Sequence, residues 1–209
     1  MANNAKQIKV LGVAGSPRRG GNSDLLLERA LAGAAEAGAN VERIVVARLR
    51  IAPCIACDGC WTAGRCVVQD EFQDVYEKLI VAERIILATP IYFMAVSAQA
   101  KAFIDRCQCL WARKYVLQQA LPPTSSGEPR RGALITTAGH SVSSGFRCAA
   151  TTMRYFLDVL DAEPAGELHV GNVDEKGAIR ERPDMLEAAL ALGKQLLGKP
   201  NSKGVTRRE

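Results

Sequence analysis

Residues 8–14, IKVLGVA, form an almost uninterrupted apolar run that stops at Gly15, in front of a polar loop. A strand with one wet face would alternate apolar and polar side chains. An unbroken run instead requires cover on both faces, which is the situation of a strand inside a parallel sheet. The pattern recurs at VERIVVA (41–47), RIILAT (84–89), GALITTA (132–138) and GELHVG (166–171). Between these runs the apolar spacing changes to a helical one. Over 23–37, Leu25, Leu26, Ala30 and Ala34 share a side and Gly38 supplies a stop. Further helices are predicted from Asp70, with Gln73 as the partner in a capping box, over Ser97–Gln118, over 145–160 and over 183–197.

Five strands alternating with five helices, without internal repeats, predict an α/β domain with a five-stranded parallel sheet and helices on both faces. An open sheet of this size favours the strand order 2-1-3-4-5, with ligands held outside the carboxyl ends of the strands. The 209 residues suffice for one domain over 1–198, with an inserted loop at 50–69 and a flexible tail at 199–209. The net charge of +5 is spread over short patches such as Arg18-Arg19 and Arg130-Arg131. Nucleic-acid binding would need a concentrated basic stripe. A small anionic ligand is enough to explain the bias. No apolar stretch is long enough to span a bilayer, and no secretory signal precedes the first strand. The expectation is therefore a cytoplasmic protein with reduced or metal-bound cysteines.

Four of its seven cysteines, Cys54, Cys57, Cys60 and Cys66, fall in the run PCIACDGCWTAGRC. Three thiolates at every third position and a fourth after a glycine-containing turn suit a cysteine-ligated iron–sulfur cluster. Structural zinc more often uses two separated CxxC knuckles. Overlapping CxxC pairs also suit thiol–disulfide exchange, and a loop of plain reduced thiols remains a further reading. Cys107, Cys109 and Cys148 read as buried small hydrophobes.

The loop after the first strand, GSPRRGGNS (15–23), has neither a G-x-G-x-x-G spacing nor a closing Gly-Lys-Ser/Thr. It does offer side-chain donors at Ser16, Asn22 and Ser23, charge at Arg18, and bare backbone at Gly20 and Gly21. With a helix N-terminus beginning near Ser23, these parts suit one terminal phosphate, as in a flavin mononucleotide. After the third strand, Pro90 turns the chain and Ile91, Tyr92, Phe93 and Met94 offer apolar cover for a flat ring. After the fourth, Thr137, Ala138, Gly139 and His140 offer amides and an imidazole to a polar ring edge. Lys101 and Arg106, on the following helix, suit either a bias on the local field or plain surface roles.

GSPRRGGNS, the cysteine run and TPIYFMAVSAQAKAFIDR (89–106), in that order, resemble the flavodoxin-like NAD(P)H-dependent FMN reductases. The compact cysteines point to their iron–sulfur flavoprotein branch. The resemblance covers about residues 8–160. It implies a three-layer flavodoxin-like sandwich with FMN at 16–23, its ring against 90–94 and 137–140. It also implies a [4Fe-4S] cluster on Cys54, Cys57, Cys60 and Cys66. The expected activity is electron transfer from NAD(P)H or ferredoxin through FMN to a small-molecule acceptor, by a homodimer or homotetramer. Flavin N5 would be the reactive centre, so no catalytic side chain is required. A cluster-free FMN or quinone reductase and a non-catalytic carrier or redox sensor are the alternatives.

Overall fold

The computed structural model describes residues 7–198, so the tail expected at 199–209 lies outside the described residues. Strand β1 (Lys9–Ala14) leads into α1 (Asn22–Glu36) and β2 (Asn40–Val45). Helix α2 (Phe72–Val81) follows the cysteine loop and is succeeded by β3 (Arg84–Tyr92), the two-residue β4 (Ala95–Val96), α3 (Ala98–Arg106) and α4 (Gln108–Trp111). The chain closes with β5 (Arg130–Thr137), α5 (Ser143–Asp158), β6 (Ala162–Val170) and α6 (Pro183–Gln195). The sheet order is β2-β1-β3-β5-β6, all parallel, with β4 turned back antiparallel on the end of β3. Counting the five parallel strands alone, this is the expected 2-1-3-4-5.

Alternation along β3 sorts its side chains between two cores. Ile85 and Leu87 face the side covered by Phe72, Phe103 and Phe156, and Ile86 and Ala88 face the side covered by Leu26, Leu27 and Leu192. Residues 84–89 of β3 are thus buried whichever way they point, which is why that run reads as continuous. On the first side, Phe103 meets Phe156 edge-on at 5.6 Å between ring centroids. On the second, α1 and α6 approach so closely that their backbones touch at Gly33 and Gly193. Among the described residues no helix is long and apolar enough to cross a membrane.

Four local expectations change. The helix expected over Ser97–Gln118 is broken: α3 ends at Arg106, Cys107 has ψ 3°, and a π-turn occupies Ala112–Val116. These breaks coincide with contacts onto the cysteine loop, where Trp111 packs 6.4 Å from Trp61. Pro90 does not leave the sheet; it pairs with Thr137 beyond the last β1 partner, where no neighbouring carbonyl needs its missing N–H. Strand β6 starts at Ala162, before the expected 166, and carries Pro164 beside a bulge at Gly132/Ala133 on the sheet edge. The capping box does not form. Asp70 Oδ1 accepts the Phe72 N–H, but the Gln73 amide donates to the Cys66 and Val68 carbonyls, both at 2.8 Å.

Candidate functional site

At the carboxyl edge of the sheet, the loop between β1 and α1 is pinned before it reaches the helix. The Gly15 N–H donates to the Ala88 carbonyl at 2.8 Å, and Ser97 Oγ donates to the Gly15 carbonyl at 2.5 Å. Gly20 takes φ +65°, a conformation that glycine adopts without strain, and its N–H donates to Asp24 Oδ2 at 2.8 Å. Asp24 is held in turn by Arg43. The loop therefore bends back over the start of α1 and leaves a cleft above it.

Ser16 and Arg18 line that cleft from the first loop, Asn22 and Ser23 from the first turn of α1 that follows it, Pro90, Ile91 and Tyr92 from the end of β3, and Thr137, Ala138 and Gly139 from the end of β5. Three loops separated by as many as 123 residues converge on one hollow. Phe93, Met94 and His140 are not part of the lining. Phe93 and Met94 form the two-residue turn between β3 and β4, both at positive φ (48° and 64°), and Phe93 stands fully out in solvent. His140 is also exposed. Sequence reasoning missed a fourth contributor, the loop after β6, which brings Val173, Asp174 and Lys176 to the cleft. The signal available was the DEK cluster directly after the last strand, at the same sheet edge.

Asn22 explains how that fourth loop arrives. Its amide donates to the Val173 and Glu175 carbonyls at 3.0 and 2.9 Å, and its Oδ1 accepts from the Gly177 and Ile179 N–H groups. Both amide hydrogens are therefore spent on protein carbonyls, and Asn22 acts as a strut for the loop. Ser23 is the opposite case. It is 1% exposed, it sits in the first turn of a 15-residue helix, and its Oγ has no hydrogen-bond partner among the described residues. A buried hydroxyl without a partner costs about 1–3 kcal/mol. Beside a helix N-terminus and Arg18, the missing partner has the character of an anion. The residues present thus fit a phosphate-bearing ligand.

The cysteine loop occupies the connection from β2 to α2. Cys54, Cys57, Cys60 and Cys66 line a second hollow, together with Arg106 and Cys109. Ala56 and Asp58 flank Cys57 at φ 49° and 55°, unusual values for non-glycine residues. Such strain is commonly retained at ligand sites. All four cysteines are free thiols; Cys54 and Cys57 are exposed, Cys60 and Cys66 half-buried. Burial pushes the Cys60 thiol up, and the sulfurs of Cys66, Cys54 and Cys57 add to the rise. Burial also pushes Cys109 up to about 12. Of the other two, Cys107 is buried and Cys148, against expectation, is exposed on α5.

Among the described residues no three His, Cys, Asp or Glu side chains are grouped to hold a single metal ion. Tetrahedral zinc at about 2.3 Å per bond would draw its sulfurs to within roughly 4 Å of one another. A cluster carries its ligands on a larger body, and four thiols around one hollow suit it in number and softness.

Arg106, for which a surface role was one expectation, is 1% exposed, whereas Lys101 is exposed and paired with Asp105. Asp70 joins Arg106 at 2.6 Å and accepts the Ala52 N–H at 3.0 Å. Burial alone would raise the Asp70 carboxyl, but Arg106 and the Ala52 and Phe72 amides outweigh it and hold it below the ordinary value. A depressed carboxyl stabilises the fold above its unfolded pKa of about 3.9 and loses that contribution as pH falls through its folded value. Amide protection in residues 52–70, relative to intrinsic exchange, is therefore expected to fall below about pH 4 in the native protein, and Asp70→Asn should remove that step. A loop equally protected at pH 3 and pH 6 would contradict the assignment.

Residues 8–172 match the NADPH-dependent FMN reductase family. An iron–sulfur flavoprotein of Methanocaldococcus jannaschii is 37% identical over 62% of this chain and 67% of its own length. One from Methanosarcina thermophila is 34% identical over 60% of this chain and 66% of its own length. The matches thus span about two thirds of the length of these relatives. The fold is similar to that of an NAD(P)H:quinone oxidoreductase from Methanothermobacter marburgensis, with a TM-score of 0.71 at 16% identity over 94% of this chain and 100% of that one. The chain belongs to the NADPH-dependent FMN reductase family of flavin-dependent oxidoreductases, in its iron–sulfur flavoprotein branch.

Proposed function

We propose that this protein passes electrons from a reduced donor, NAD(P)H or a ferredoxin, to a small-molecule acceptor, using FMN in the cleft and a [4Fe-4S] cluster on the cysteine loop. The observation that carries the reading is the unpartnered Ser23 hydroxyl, buried at a helix N-terminus inside a cleft that four strand-end loops converge to form. When bound, FMN supplies exchange of electrons in pairs or singly, and a cluster supplies single-electron exchange.

The protein's own residues do the rest. Ser23 and the first-turn amides of α1 would hold the phosphate, with Arg18 and Lys176 contributing charge and Ser16 shaping the loop by accepting the Arg18 N–H at 3.1 Å. Pro90, Ile91 and Tyr92 would exclude water from one side of the ring, and the backbone at Thr137, Ala138 and Gly139 would meet its polar edge. Phe93, Met94 and His140 stand outside the lining and serve this reading only as outer cover. Cys54, Cys57, Cys60 and Cys66 would hold the cluster. Exposed Tyr92, Phe93 and Met94 beside the cleft support a homo-oligomer, since grouped apolar side chains on a surface favour burial by a partner. The single domain over 1–198 and a cytoplasmic location belong to the same reading.

Ser23→Ala tests the flavin half. Without ligand, the variant should be as stable as the natural protein or slightly more so, because a buried unpaired hydroxyl is gone. FMN affinity should fall by about 1.5–3 kcal/mol, roughly ten- to a hundredfold, as expected for a lost hydrogen bond to a charged group. Riboflavin, which lacks the phosphate, should bind both proteins alike. Titration calorimetry with the two flavins gives the answer, and an unchanged FMN-to-riboflavin ratio would overturn the phosphate assignment. Iron and acid-labile sulfide in oxygen-free preparations test the cluster half. A preparation with FMN, NAD(P)H turnover and no iron would leave the cluster-free reductase standing.

A further inference from the structure

We propose that Arg106 is a positioning residue for the cysteine loop and the built-in counter-charge of its metal centre. The inference rests on the cluster reading above and adds to it the residue that sets the centre's electrostatic environment.

Arg106 closes α3, is almost wholly buried, and lines the same hollow as the four cysteines. A buried guanidinium is costly unless its donors are used. Here most of them clamp the loop. Nη1 donates to the Ala52 carbonyl at 2.8 Å and to Asp70 Oδ2 at 2.6 Å, and Nη2 donates to Asp70 Oδ1 at 3.1 Å and to the Val68 carbonyl at 3.4 Å. Ala52 lies before Cys54, and Val68 and Asp70 lie after Cys66. One side chain therefore fastens both ends of the run that carries every candidate ligand. The ring of Phe72 lies 4.8 Å from the guanidinium carbon and supports the group from one side.

Two further observations turn the clamp toward the hollow. The Nε–H has no partner among the described residues, although it is buried. Asp70 itself does not line the hollow. The ion pair is accordingly oriented, with its positive end toward the cysteines and its negative end away.

Four thiolates bring negative charge into a partly buried site, and each added electron increases it. A nearby cation in a poorly screened environment favours the more negative, reduced form. Removing that cation should therefore lower the centre's reduction potential. Removing the carboxylate that partly masks it should raise the potential. An arginine that served only as a structural anchor would not give opposite signs for the two changes.

The test uses the full chain, prepared without oxygen, as the natural protein and as Arg106→Gln, Arg106→Lys and Asp70→Asn. Iron and sulfide content, FMN affinity and the potential of the metal centre by redox titration are measured on each. At the natural midpoint, Arg106→Gln should shift the oxidised-to-reduced ratio at least tenfold toward oxidised, about 59 mV for a one-electron couple. Asp70→Asn should shift it the other way, and Arg106→Lys should lie near the natural value with a lower iron content. FMN affinity reports whether the fold is intact. If Arg106→Gln assembles no centre, the contrast between Arg106→Lys and Asp70→Asn decides. Unchanged potentials, or shifts of the same sign in Arg106→Gln and Asp70→Asn, overturn the inference. Iron and sulfide missing from the natural protein overturn the cluster reading, and this inference with it, before any variant is compared.

Discussion

Gly193→Ala is expected to lower the melting temperature by about 5–10 °C, measured by far-UV circular dichroism. A methyl group at Gly193 would overlap the Ala30 carbonyl oxygen, with the Ala34 nitrogen at 3.0 Å. The reciprocal position, Gly33, faces the Leu190 carbonyl in the same way. The obstructing atoms are backbone, so no side chain can rotate aside, and relief requires α1 and α6 to separate. Alanine improves helix propensity by about 1 kcal/mol over glycine. Overpacking costs typically 1–3 kcal/mol and occasionally more, and a rigid backbone contact belongs at the upper end. A net loss of about 2–3 kcal/mol corresponds to that temperature shift in a domain of this size. A second readout follows from the position of α1, whose first turn floors the cleft: FMN affinity should fall with stability. An unchanged or higher melting temperature would contradict the close approach of the two helices.

Cys57→Ser is expected to strip the cysteine loop of iron while leaving the rest of the protein intact. A neutral hydroxyl is a poor substitute for a soft thiolate ligand. Cys57 is exposed, so its replacement removes no core packing. Iron and sulfide should drop from about four each per chain to a small residue. FMN affinity and melting temperature should barely move. Cys148→Ser provides the contrast, because Cys148 is also exposed but lies on α5, outside the loop. It should retain full iron. Equal iron in both variants would remove Cys57 from the ligand set.

What the amino-acid sequence revealed, and what it hid, divides along a physical line. The strands were legible because parallel strands covered on both faces leave unbroken apolar runs, as in Ile85–Ala88. The first three walls of the cleft were legible because they directly follow such runs. The fourth wall was not. Val173, Asp174 and Lys176 reach the cleft because the Asn22 amide bonds that loop across more than 150 residues of chain, and no local spacing records it. Arg106 was hidden in the same way: its position in a helical pattern resembles a surface site, and its burial depends on Asp70 36 residues earlier. The break at Cys107 and the early start of β6 reflect tertiary contacts overriding local propensity.

Helix α3 joins the two hollows, since Ser97 at its start is bonded to Gly15 beside the cleft and Arg106 at its end grips the cysteine loop. Its nine residues act as a ruler of about 13 Å. Helical geometry makes such a ruler graduated in steps: one inserted residue would lengthen it by about 1.5 Å and swing Arg106 some 100° around the axis, off its carboxylate. The contacts at its two ends therefore fix the length of α3 to the residue.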